Sequence, residues 1–383
     1  MVLLTVAILA AYVLACGTAF SPDDTRIVYP AFDPKTGDVG AWMYDRQTLQ
    51  SEPVFIPSRL RDAGGAERQL MPLRPIWLPD GKDLAILWPG YSDNDDDVLN
   101  IAVLPASGKG RVRLMNIPGV EDAINRLLFP PAVKNGALFF AAETNLVVRV
   151  NLETGQTSAR NIQGVDEDFN LLGPASPGSG VFYYTEDGEE GLVGGTLDTE
   201  TMKVQPRWRL AEEAYEDLNA LAVSPDGNTL VILTKKGGQR ALHVATGGST
   251  RTLPLNLPTK SIAVGMGTLA PKEPVLYVTY AEQPGGASPA QVGLLEISLK
   301  DGATRKTPLY ENRRGQDDEQ AAAFQVDVSH DGKTAAVCTT MLRVMKDHLP
   351  DPETSGLYLV DLAHPERKVT RVAIPVPDAL SKR

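Results

Sequence analysis

The sequence predicts an all-β chain closed into a single seven-bladed propeller of four-stranded antiparallel blades, and three observations predict it. The first is a phrase that recurs from end to end: an apolar run, Ser-Pro-Asp-Gly or a worn copy of it, then a second apolar run. It is clearest at Phe20-Ser21-Pro22-Asp23-Asp24, Trp77-Leu78-Pro79-Asp80-Gly81, Val223-Ser224-Pro225-Asp226-Gly227 and Val328-Ser329-His330-Asp331-Gly332. Worn copies at 129–136, 174–180 and 265–274 bring the starts to 20, 77, 129, 174, 223, 265 and 328, with spacings of 57, 52, 45, 49, 42 and 63. Repeats of that length signal a solenoid or a propeller. The second observation is that the 34 Gly and 29 Pro fall mainly between apolar runs, as punctuation for many short strands. The third is that two kinds of tight turn alternate within a repeat, as a four-stranded blade requires.

The fifth unit shows each element in order. Ala220-Leu221-Ala222-Val223 is a short apolar strand, and Ser224-Pro225-Asp226-Gly227 is the turn that ends it. Pro presets φ at the second position, Asp bonds its own backbone, and Gly takes the positive φ that other residues resist. Residues 230–234 return as a buried strand, Leu242-His243-Val244-Ala245 is the third, and Thr250-Arg251-Thr252-Leu253 is the outer fourth. The last two are joined by Thr246-Gly247-Gly248, matched by Glu153-Thr154-Gly155 and Lys300-Asp301-Gly302 in units three and six. Units begin near 17, 73, 126, 171, 220, 261 and 322, and the last strand, 369–376, falls where the ring would close beside the first blade. Six or eight blades would follow only from a miscount of the divergent third, fourth or sixth unit.

With these residues in view, the Ser-Pro-Asp-Gly turn and the strand Leu357-Tyr358-Leu359-Val360-Asp361-Leu362 resemble the repeat of TolB-type, WD-repeat-like propellers, the PD-repeat family. The resemblance runs from residue 16 to 383 and implies the propeller fold. It implies little about activity, because such propellers serve as binding platforms, scaffolds and enzyme supports alike. TolB itself carries an additional N-terminal domain that these residues do not provide.

Bulk properties narrow the function. Hydrophobic content of 43% with 22% charged residues suits a well-buried globular body, and the repeats leave no stretch within the 383 residues for a separate catalytic domain. The formal charge of −11 repels nucleic acid and anionic lipid headgroups. Cations, basic peptides and neutral glycans stay compatible. Cysteines number two, Cys16 and Cys338, which excludes a disulfide framework. Residues 1–15 form an uncharged apolar run of signal-peptide length, ending in Val13-Leu14-Ala15-Cys16-Gly17. This resembles a bacterial lipobox and implies lipidation of Cys16 and a place in the cell envelope, facing periplasm or exterior. It departs from that pattern in lacking Lys or Arg near Met1. The competing reading makes 12–20 the inner strand of the first blade, which would bring Cys16 near Cys338 in the last.

The candidate site follows from loop length. Turns from first to second and from third to fourth strand lie at one end of each blade; the other connections lie at the opposite end and contain the long segments 58–72, 91–98, 281–292, 311–320 and 341–356. Long loops on a rigid support are where binding residues gather. Three of these connections carry a repeated phrase, with Glu121, Asp122 and Asn125, then Glu167, Asp168 and Asn170, then Glu216, Asp217 and Asn219. One reading is an electronegative rim for a basic protein or peptide, or for a divalent cation or small molecule; the other is that Asp and Asn merely bond local backbone. Asp93-Asn94-Asp95-Asp96-Asp97 begins like a calcium loop but lacks the Gly, and Leu104 stands where the bidentate Glu belongs. The four His are too scattered for zinc, and no phosphate loop, dinucleotide fingerprint or nucleophile elbow occurs. No cofactor or metal is therefore expected. The leading expectation is a non-enzymatic binding or scaffold propeller; the alternative is a lactonase-, lyase- or phosphatase-like enzyme using the six carboxylates as acids and bases.

Overall fold

The computed structural model describes residues 17–33, 39–57, 73–91, 97–118, 131–143, 146–162, 165, 169–174, 181–188, 191–211, 217–224, 228–236, 239–255, 261–263, 267–282, 290–312, 325–339 and 356–374. Seven antiparallel sheets follow one another along the chain, each adding its strands in sequence order. First strands of neighbouring sheets contact one another at the junctions of blades 1 and 2, 5 and 6, 6 and 7, and 7 and 1, and the sheets pack face to face at the other three, so the first strands form the inner wall of a seven-bladed propeller. These inner strands are Ala19–Phe20, Arg74–Trp77, Ala132–Lys134, Phe169–Pro174, Asp217–Val223, Ser261–Ala263 with Thr268–Leu269, and Val326–Val328, in blades 1 to 7. In blade 6 the inner strand comes in two pieces on one partner. Ala263 pairs with Tyr280 and Thr268 with Tyr277, so four residues stand opposite two; the surplus interrupts the ladder as a bulge does.

The blade strands are apolar on both faces because each face packs on a different neighbour. In the second strand of blade 1 (Arg26–Phe32), Ile27, Tyr29 and Ala31 face blade 7 while Val28 faces blade 2. In blade 2 the strand Asp83–Tyr91 sends Leu84 and Ile86 to blade 1, and Ala85 and Leu87 to blade 3. Alternation with period two thus produces a continuous apolar run instead of an amphipathic one. Among the described residues the core divides into seven clusters, one between each pair of neighbouring blades, including blades 7 and 1. Between blades 4 and 5 lies Trp208, cross-strand partner of Gly194. A methyl group at Gly194 would lie 1.8 Å from the indole, so only glycine admits the ring there.

The recurring turn forms as its residue types dictate. The Ser21, Ser224 and Ser329 hydroxyls accept from the backbone N–H five residues on, at 2.9, 2.8 and 2.9 Å. Asp23, Asp80 and Asp331 accept from the N–H two residues on, at 3.1, 2.9 and 2.9 Å. The Ser21 hydroxyl, helped by Thr25, holds the Asp23 carboxyl down at about 2. Glycine at the fourth position has φ of +66° at Gly81 and +78° at Gly332, and Asp24 occupies that position in blade 1 at +58°.

Among the described residues no strand crosses between the first and last blades: Ala19–Phe20 belongs to blade 1, and Val369–Ala373 to blade 7. Closure instead combines an apolar interface with side-chain bonds. Asp24 accepts from the backbone N–H of His330 and Asp331 at 2.8 and 2.9 Å and pairs with the His330 ring at 2.8 Å. Arg46 Nη2 donates to Thr334 Oγ1 at 2.8 Å, and the Cys338 thiol approaches Pro30 O at 3.5 Å.

Candidate binding face at the channel mouth

Strand order gives the disc two unlike ends. Described turns from first to second and third to fourth strand run from 135–136 and 247–248 up to 362–368. Strands that end at the opposite end are joined by the chain's longest connections, 56–73, 119–131, 313–325 and 339–355, whereas blades 3, 4 and 5 have only 144–145, 189–190 and 237–238 between second and third strands. Inner strands run away from this end, so their N-terminal residues stand at its channel mouth.

Blades 1, 2 and 7 bring four described side chains and a glycine together there. Arg74, at the start of the blade 2 inner strand, is only 4% exposed, and its Nη2 donates to Gln325 Oε1 at 3.0 Å. Gly17 fits against both: a methyl group there would lie 2.5 Å from Gln325 Oε1 and 3.5 Å from Arg74 Nη1. The buried Thr18 hydroxyl has no hydrogen-bond partner among the described residues. One step along the wall, Asp327 Oδ2 accepts the Phe20 N–H of blade 1 at 3.0 Å, and Oδ1 accepts the Val328 N–H at 2.9 Å. Burial pushes the Asp327 carboxyl up to about 6, against the pull of those two N–H groups. The mouth therefore carries a fixed cation, the Gln325 amide against it, a buried hydroxyl and a carboxyl raised to about 6.

The carboxylate rim expected from sequence lies outside the described residues at Glu121, Asp122, Asn125, Glu167, Asp168 and Glu216. Backbone is described for Asn170, which pairs with Thr185, and for Asp217 and Asn219, which pair with Lys235 and Leu233; all three lie in inner strands. Cys16 and residues 92–96 also fall outside. Among the described residues no group of three or more His, Cys, Asp or Glu could hold a metal ion. His243 lies between Thr234 and Thr252 hydroxyls at 2.9 and 3.1 Å, inside its blade. Arg74 and Asp327 were missed in the sequence because neither stands in a motif; Arg74 inside an otherwise apolar inner-strand phrase is the one signal present.

No protein-family model matches the chain, and no curated protein matches it. Among solved structures, the chain is similar to a prolyl endopeptidase at 13% identity and TM-score 0.49, covering 84% of this chain and 46% of that one. It therefore spans about half the length of that peptidase. It is similar to TolB from Acinetobacter baumannii at 13% identity and TM-score 0.41, covering 90% and 81% of the two chains. For hydrazine synthase of Kuenenia stuttgartiensis the values are 13%, 0.48, 94% and 95%.

Proposed function

We propose that this propeller is a non-enzymatic binding platform, held at the bacterial cell envelope through a lipid on Cys16, that takes a protein or peptide partner on the face of long connections. The observation that carries the reading is that the longest connections of the chain, 56–73, 119–131, 313–325 and 339–355, all leave described strands at the same end of their blades. A rigid ring of cross-packed blades holds such connections in fixed relative positions, so their side chains can meet a partner without reordering the support. Arg74 and Gln325 stand at the starts of inner strands at that same end, where a partner's carboxylate or backbone carbonyl would find donors. The acidic phrases at 121–122, 167–168 and 216–217 would add attraction for basic groups around the rim.

Two measurements test the two halves. Expression of the full chain and of Cys16→Ala in a bacterium, with detergent-phase partitioning and the mass of the N-terminal peptide, should show a diacylglyceryl group on Cys16 that the variant lacks; a soluble, unmodified Cys16 overturns the anchor. Reversing all six acids to Lys should abolish capture of the partner from envelope extracts while the melting transition persists. Undiminished capture removes the rim from the interface.

A further inference from the structure

The end of the disc opposite the long connections carries a cavity of about 190 Å³ between blades 3 and 4. Its wall is one face of blade 3, where Phe139 pairs with Arg149 and Arg149 pairs with Ser158 in a single cross-strand row. Arg160 stands one step along the same face, opposite Val147. The inner turn of blade 3 contributes Lys134, and the outer turn of blade 4 contributes Glu200.

Three cations thus surround one carboxylate. Glu200 occupies two of them: its side chain pairs with Lys134 Nζ at 3.1 Å, and its backbone carbonyl accepts from Arg160 Nη1 at 2.9 Å. Arg149 has no carboxylate partner among the described residues; its guanidinium lies 6.0 Å from the Phe139 ring centroid, and Ser158, its cross-strand partner, lines the same cavity. Adhesion between blades explains the Lys134–Glu200–Arg160 set. It does not explain the third cation, the exposed Arg149, which lines the cavity beside an aromatic ring. The groove has a local charge of about +2 by residue count, in a chain of net charge −11. Arginine presents a planar fork that matches carboxylate and phosphate oxygens, and a cleft strengthens its field.

We propose that this groove binds a compact organic dianion, either a short dicarboxylate or a phosphate monoester. One anionic group would meet Arg149 and Ser158, with the Lys134 and Arg160 cations balancing the second charge, and the carbon body would lie on Phe139. The volume sets the size: pockets for drug-sized ligands run to about 300–1,000 Å³, so this one takes a handful of heavy atoms. This site lies on the far end of the disc from the proposed partner face and is independent of the anchor.

The test is calorimetric titration of the intact chain at low ionic strength with succinate, with methyl phosphate and with succinamide as the uncharged analogue. The expected result is saturable one-to-one binding of succinate or methyl phosphate, weakened by added salt, with succinamide silent. The tighter of the two probes identifies the anionic group. Arg149→Gln should weaken binding at least about tenfold, the scale of a lost charge-assisted contact, while Arg207→Gln on blade 4 leaves it unchanged. If Arg149→Gln does not melt cooperatively, Ser158→Ala replaces it, with an expected loss of about threefold for a neutral hydrogen bond. Absence of binding up to about 10 mM, a range that still detects millimolar affinity, overturns the proposal. So does equal binding of succinamide, or undiminished binding by whichever variant folds.

Discussion

Single residues at the blade junctions carry charge into poorly hydrated places, and two make predictions. Asp327 has its carboxyl raised from 3.8 to about 6 by burial. The folded chain therefore keeps a proton between about pH 4 and 6 that the unfolded chain has released, and the stability this contributes is complete below about 4 and lost as pH rises through 6. Asp327→Asn keeps an oxygen for the Phe20 N–H and removes the titration. The wild type should fall behind the variant by on the order of 2 kcal/mol between pH 4 and 7, somewhat less than the full shift because water reaches the channel wall. Melting temperatures of both proteins across that range decide it, and a constant difference would sink the idea. Glu296 of blade 6 is the second case. It is 7% exposed and takes a bidentate pair from Arg367 of blade 7 at 2.9 and 2.8 Å, with Arg305 at 3.8 Å. Arg367 is raised further above its ordinary value by that bond, and it also donates to Leu362 O. Arg367→Ala should cost about 3 kcal/mol in denaturant unfolding by stranding the carboxylate, and Glu296→Met with Arg367→Met should recover most of it. A double variant as unstable as the single one contradicts this account.

At the scale of the element, the turns decide how much could be read in advance. Ser-Pro-Asp-Gly is local chemistry: hydroxyl, carboxylate and positive φ act within six residues, so the inner hairpins of blades 1, 2, 5 and 7 were legible from the motif, and the worn copies only from their spacing. Where an element depends on something distant, the sequence is mute. The two-piece inner strand of blade 6 reflects a register against 275–282 that no motif marks. The groove between blades 3 and 4 draws Lys134, Arg149, Arg160 and Glu200 from different strands and two blades, so it has no linear signature. Asp24 illustrates the boundary. In sequence it is a worn glycine; in the structure it keeps the left-handed φ of +58° and turns the saved space into an acceptor for His330 and Asp331. Asp24→Asn keeps an oxygen and a residue type that tolerates this φ, and should cost under about 1 kcal/mol. Asp24→Ala loses acceptor and tolerance together and should cost about 2 kcal/mol. Chemical denaturation of the two variants checks the ranking; equal losses would mean that the latch contributes nothing beyond the turn.

For the whole molecule, the manner of closure governs how the ring comes apart. Six of the seven junctions join blades that are neighbours in sequence, tethered by a connection as well as by packing. The junction of blades 7 and 1 has no connecting segment between consecutive blades and, among the described residues, no shared strand; its described contacts are an apolar cluster and a few side-chain bonds. Separation there costs one interface and keeps every ladder intact, whereas opening inside a blade breaks backbone pairs as well. The lowest-energy opening should therefore be a parting of this seam, and local opening of that kind is read by native-state hydrogen exchange. The Phe20 amide, bonded to the Asp327 side chain and not to a strand, should exchange with a smaller opening free energy than amides in the second strands of blades 3 and 6. Asp24→Ala should speed it and the neighbouring amides of blade 7 while leaving blades 3 to 5 at their original rates. Uniform acceleration around the ring would show instead that the seven blades open as one unit and that the seam is no weaker than the tethered junctions. A localised response would also bear on binding, because the seam runs beside Arg74 and Gln325. A partner seated across the mouth on blades 7, 1 and 2 would then slow exchange at Phe20, and the size of that protection would measure how much of its binding energy goes into holding the ring shut.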